Sequence, residues 1–112
     1  MKAADFRRIA LSMPEAIESE HMAHPDFRVG GKIFATLGYP DQDHGMVNLP
    51  LEEQARMLRC HPKIFFPAKG AWGKQGSTCV HLEGIDMAAL RPVMEIAWRE
   101  RAPRSLLRKA SA

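Results

Sequence analysis

From Gln54 to Leu82 this 112-residue chain carries no aspartate or glutamate, although acidic residues are plentiful before it. Arg56, Arg59, Lys63, Lys69 and Lys74 all fall inside that stretch and go unopposed along the chain. Cysteine is scarce as well, with only Cys60 and Cys79. So sparse a pair, in a chain with no legible secretory leader, reads as reduced thiols rather than a disulfide framework. No apolar run approaches the roughly 20 residues that span a bilayer. The opening Met1-Lys2-Ala3-Ala4-Asp5-Phe6-Arg7-Arg8 returns to charge before a signal peptide could build. Cytoplasmic residence, with no membrane partner, is the resulting expectation. Repeats, linkers and low-complexity tracts are missing too. Residues 1–112 are therefore expected to form one domain, with a short basic tail at 104–112.

What is there is ordinary in amount and uneven in placement. A hydrophobic share of 46% with 26% charged residues fits a globular protein and excludes wholesale disorder. Seven methionines read as flexible core filler. The net charge of +3 is modest. Its distribution says more: acidic residues such as Glu15, Glu18, Glu20, Asp26 and Glu52 gather in the first half. Arg99, Arg101, Arg104, Arg108 and Lys109 close the chain, opposed only by Glu100. Such polarity suits an anionic partner on one side of the molecule.

Periodicity predicts an α+β domain. Phe6, Ile9, Ala10 and Met13 recur at helical spacing and stop at Pro14. Residues Ile17 to Met22 read as a weak edge strand, with a turn at Pro25. Phe27-Arg28-Val29, Gly30-Gly31 and Lys32 to Leu37 form the clearest hairpin signal, because two glycines supply the positive φ of a primed turn. Strict alternation would put Ile33, Ala35 and Leu37 on one face and Lys32, Phe34 and Thr36 on the other. Met46 to Leu49 continues the meander after a polar loop. Pro50 opens a helix to Cys60, with Glu52 and Glu53 in its first turn and Arg56 and Arg59 near its end. Ile64-Phe65-Phe66 is a short strand. The residues from Ala68 to Gly76 read as a glycine-punctuated loop before a strand through Thr78, Val80 and Leu82. Asp86 can cap a last helix bearing Met87, Leu90, Val93, Met94, Ala97 and Trp98. Pro92 requires either a later start near Arg91 or a solvent-side bend.

Catalytic and metal-binding patterns fit poorly. His21 and His24 bracket a turn that should point them apart, and no cysteine or histidine pair has zinc-site spacing. Gly70-Ala71-Trp72-Gly73-Lys74-Gln75 has two residues between its glycines instead of four, and glutamine where a phosphate loop has Ser or Thr. A weaker use survives, in which backbone N–H groups beside Lys69 and Lys74 hold an anion. Cys79 and His81 share a strand face but lie about 7 Å apart, beyond direct hydrogen-bond reach. No metal, cofactor or catalytic residue is expected. Trp72 stands out instead. Among glycines a tryptophan either plugs back onto the sheet, the commoner fate, or stands out for contact. Beside Lys69, Lys74 and Gln75, an exposed one would combine stacking with phosphate contacts.

Three stretches resemble the MmcQ/YjbR-like family: Phe27-Arg28-Val29-Gly30-Gly31-Lys32-Ile33-Phe34-Ala35, then Trp72-Gly73-Lys74-Gln75-Gly76-Ser77-Thr78 followed by Val80 and Leu82, and Ala97-Trp98-Arg99 leading into Ala102-Pro103-Arg104. The resemblance implies a CyaY-like α+β fold, an antiparallel sheet with packed helices in a double-wing arrangement. Its wings would be the Phe27–Leu37 hairpin and the Phe65–Leu82 unit. It also implies DNA binding without an established enzymatic activity. Many relatives carry an aromatic residue where this chain has Ser77, which leaves Trp72 the loop's only aromatic. Similarity to frataxin would suggest iron on an acidic first helix and strand, but here only Glu15, Glu18 and Glu20 support it.

The function expected from the sequence is a non-catalytic nucleic-acid-binding domain, plausible as a monomer. Lys63, Lys69, Lys74, Arg99, Arg101, Arg104, Arg108 and Lys109 would contact phosphates, and Trp72 and Gln75 would meet bases or sugar. The alternative is a module for a small ligand or a protein. The first reading requires that the C-terminal arginines stand beside the Trp72 loop.

Overall fold

Six strands emerge from the alternating segments: β1 (Ile17–His21), β2 (His24–Val29), β3 (Lys32–Leu37), β4 (His44–Asn48), β5 (Phe65–Pro67) and β6 (Ser77–His81). The computed structural model describes residues 1–111. All neighbouring strands pair antiparallel in one sheet of order β1-β2-β3-β4-β6-β5. Both expected wings therefore belong to one continuous sheet, joined where β4 pairs with β6. Helices α1 (Ala3–Leu11), α2 (Leu51–Cys60), α3 (Gly70–Lys74), α4 (Met87–Arg101) and α5 (Arg104–Ser111) complete the α+β architecture.

The core lies on one face of this sheet. Phe6 and Ile9 from α1, and Leu90, Val93, Met94 and Trp98 from α4, are buried against Phe27, Ala35, Val47 and Val80. Each such apolar side chain contributes about 1.5–3 kcal/mol when fully buried. Gly45 lets the layers meet, since a Cβ there would run into the ring of Phe6. Trp98 is fully in the core, and its indole N–H donates to the carbonyl of Pro14 at 3.0 Å. Asp86 caps α4 by accepting from the Ala89 N–H at 2.8 Å. The helix runs unbroken through Pro92, which is exposed, so the ring points to solvent as one of the two expected arrangements required.

The structure corrects the sequence reading in four places. First, β3 does not alternate strictly. Phe27 pairs with Ala35 and Arg28 with Ile33, so Phe34 is an extra residue at a β-bulge. Phe34 and Ala35 are consequently both buried in the core, while Ile33 turns to the opposite face with Thr36. Second, Pro25 lies inside β2 and the turn falls at Met22-Ala23, whose φ values of 51° and 67° make a primed hairpin without glycine. His21 and His24 are thereby opposite each other on one face rather than pointing apart. Third, the glycine segment contains the helical turn α3. Fourth, the basic tail forms a docked helix, since Leu106 of α5 is buried with the core.

Candidate functional site

The face of the sheet opposite α1 and α4 bears an open cleft. Strand alternation sends Ser19 and His21 of β1, Asp26 of β2, Thr36 of β3, and Met46 and Asn48 of β4 outward. Glu18 faces the helices instead, where its carboxylate accepts from Arg7 of α1 at 2.9 Å. Asp26 is the one carboxylate among the outward strand positions, and it is neutralised. Arg28 donates to it at 2.8 and 3.0 Å, and His21 Nδ1 lies 2.7 Å from it. The bonds from Arg28 chiefly, and His21 next, hold its carboxyl below the ordinary 3.8 against the opposing effect of burial.

One wall of the cleft is built by α3. Buried Gln54 on α2 donates its amide to the carbonyls of Gly73 at 2.9 Å and Ser77 at 3.2 Å. Gly73 must be glycine, because a Cβ would collide with the carbonyl of Ala68. Gly76, at φ +110°, turns the chain into β6 against the carbonyl of Leu49. Thus pinned, α3 presents Trp72 outward, 52% exposed. The commoner plug arrangement is not adopted. The Trp72 ring meets Tyr39 edge-on with centroids 6.4 Å apart, and Tyr39 meets His24 likewise at 6.0 Å.

Trp72, Gln75 and Arg101 line this cleft of about 320 Å³ together with His21, Thr36 and Ser77. Arg101, in the last turn of α4, is half-buried and has no carboxylate partner among the described residues. On the floor, the Ser77 hydroxyl donates to Asn48 Oδ1 at 2.8 Å, and Asn48 Nδ2 donates to the carbonyl of Ile33 at 2.9 Å. The Thr36 hydroxyl is buried without a hydrogen-bond partner, alone in this among the described side chains. The arrangement offers a π face, an unpaired guanidinium and a polar floor, which together suit a planar, anionic ligand.

The other expected contact residues distribute differently. Lys69 and Lys74 flank α3 and are exposed beside Trp72 in the chain. Lys63 sits in the exposed turn between α2 and β5 and does not line the cleft. Arg99 pairs with Glu95 at 3.3 Å on α4. Arg104, Arg108 and Lys109 occupy the solvent face of α5, outside the cleft. Of the arginines expected to stand beside Trp72, Arg101 alone does so. His21, Thr36, Asn48 and Ser77 were not expected. Their only sequence signal was a polar residue at every second strand position.

Cys79, buried on β6, is not an activated thiol. Burial, with the charge of Asp41 adding to it, pushes the Cys79 thiol up to about 11. A thiol so protonated at neutral pH is a poor nucleophile. His44 faces His81 across the strands at 5.1 Å and holds Asp41 at 2.7 Å, which lowers that carboxyl. No three His, Cys, Asp or Glu side chains among the described residues are grouped to hold a metal ion.

Comparison with known proteins places this architecture. A family model described as YjbR matches residues 11–100. Among solved structures, the fold is similar to Deinococcus radiodurans protein DR2400, of the family-model domain DUF419. The TM-score is 0.73 at 16% identity, covering 87% of this chain and 75% of that one. No curated protein matches the sequence.

Proposed function

The chain belongs to the YjbR family, and from that premise we propose that it is a non-catalytic domain that binds nucleic acid, DNA in particular, on the uncovered face of its sheet. One observation carries the reading: Trp72 on α3, Gln75 just after it and Arg101 on α4, distant in sequence, meet at one cleft on a face whose only strand carboxylate is neutralised. Trp72 stacks on a base, Arg101 takes a phosphate in its planar fork, and Lys69 and Lys74 extend the positive track along α3. Lys63, Arg99 and the α5 cations fall outside this contact surface.

The number of cations at the cleft sets the expected salt dependence. Lys69, Lys74 and Arg101 neutralise about three phosphates, so log K should fall with log salt at a slope between about −2 and −3. Anisotropy titration of a labelled DNA oligonucleotide across a salt series measures that slope. The triple variant Lys69→Glu, Lys74→Glu, Arg101→Glu should abolish binding, whereas Arg104→Glu with Arg108→Glu should leave it nearly intact. Salt-independent binding, or binding that survives the triple reversal, refutes the reading. A second use, capture of a small planar anion, is favoured by the cleft's size, at the lower end of ligand pockets. Quenching of Trp72 by such a ligand without any response to DNA would support it instead.

A further inference from the structure

The cleft has features that a surface track for a sugar–phosphate backbone does not need. It is a concavity of about 320 Å³, and Thr36 on its floor keeps a buried hydroxyl with no partner. Leaving a buried hydroxyl unpaired costs stability, so a sequence under no other demand would place valine there, with the same shape and no polar atom. The neighbouring polar side chains are already occupied: Ser77 bonds Asn48, Asn48 bonds the Ile33 carbonyl, and His21 Nδ1 bonds Asp26. Among the buried polar side chains of the floor, Thr36 alone is left without a partner. Thr36 is 1% exposed, and rotation about its χ1, which exchanges hydroxyl and methyl, is the movement that would bring the donor to a ligand seated in the cleft.

From this we infer that the cleft receives one unpaired nucleobase, so that the protein binds single-stranded DNA in preference to duplex. The inference rests on the nucleic-acid reading and names the form of the partner. A pocket at this small end of the ligand range has room for a single base and none for a duplex. In a duplex each base is stacked on its neighbours and its pairing edge is occupied. In a single strand a base can leave the stack at small cost, lie against Trp72 and present a carbonyl oxygen to the Thr36 hydroxyl. The adjoining phosphate then reaches Arg101, which shares the cleft with both. Gln75, exposed at the end of α3, borders the same base.

The test compares labelled oligothymidylate with the same strand annealed to oligoadenylate, on the native protein and on Thr36→Val and Thr36→Ser. The native protein should bind the single strand about tenfold more tightly or better. Thr36→Val should weaken single-strand binding roughly five- to tenfold, the loss expected for one buried hydrogen bond, and leave duplex binding unchanged. Thr36→Ser keeps the hydroxyl and should keep the preference. Thr36→Val should also melt no lower than the native protein, which separates lost contact from lost fold. Equal affinity for the two forms, with Thr36→Val altering neither, overturns the inference and leaves the DNA-binding reading standing. Binding of neither form overturns both.

Discussion

Replacing Gln54 by methionine removes what pins α3, and with it Trp72, to the body of the protein. The amide of Gln54 donates to the carbonyls of Gly73 and Ser77 from a buried position. Methionine fills nearly the same volume, so the change deletes hydrogen bonds without opening a cavity. Neither carbonyl is orphaned by it: Gly73 still accepts from the Gly76 N–H at 3.2 Å and Ser77 from the Ala68 N–H at 2.9 Å. The cost therefore lies near the low end for two bonds, about 1–2 kcal/mol. For a domain of this size that lowers the melting temperature by about 5–10 °C. The local effect should exceed the global one. Trp98 is 1% exposed and Trp72 52%, so acrylamide quenching reports mainly on Trp72 and should rise in the variant while the core signal persists. Gln54→Glu sharpens the test. Its carboxylate would face two carbonyl oxygens, which raises its folded pKa, so the variant should regain stability as pH falls through that value and the protonated acid becomes a donor. A Gln54→Met protein that melts with the native one, with Trp72 quenched to the same degree, refutes this account of the wall.

Two further substitutions examine the framework around the cleft. Asp26 has its folded pKa held below 3.8 by Arg28 and His21. The stability it contributes is therefore present above that ordinary value and lost as pH falls through the folded one. Asp26→Asn should cost about 1–3 kcal/mol at neutral pH and show a shallower loss in acid than the native protein, as read by urea midpoints against pH; equal acid slopes would contradict it. Leu106→Ala should cost about 2–4 kcal/mol, because the side chain is buried against the core, and an unchanged urea midpoint would show that α5 does not dock.

Much of the fold was legible because its signals are local. Gly30 and Gly31 adopt φ of +58° and +79°, the demand of the primed turn they announced. Pro50, Asp86 and the 3.6-residue apolar rhythm of α4 likewise act on their own neighbourhoods. The failures share a cause as well. Met22 and Ala23 carry positive φ with no glycine to mark it, since pairing of β1 with β2 fixes the turn from outside. The tail became α5 because Leu106 packs with the core, and Pro103 just before the helix lies so near Gly30 that a Cβ there would sit 3.1 Å from the proline ring. Nothing in an arginine-rich stretch reports that contact.

The cleft itself was half legible, and the dividing line is the bulge in β3. Trp72, Gln75 and Arg101 could be named because unusual residues in a basic setting draw notice singly. Thr36 could not, since its meaning depends on which face it occupies and what stands opposite. Strict alternation put it beside Phe34 and Lys32; the bulge sends Phe34 inward and leaves Thr36 outward with Ile33, paired between Asp26 and Met46. One inserted residue thus serves two ends. It fills the core with an extra phenyl ring, and it gives the outer face a small polar residue where an aromatic one would have closed the cleft. Ser77 acts the same way on β6: a small hydroxyl there, bonded to Asn48, keeps open space that a larger side chain would occupy. The concavity is therefore set by two small residues as much as by the tryptophan that walls it.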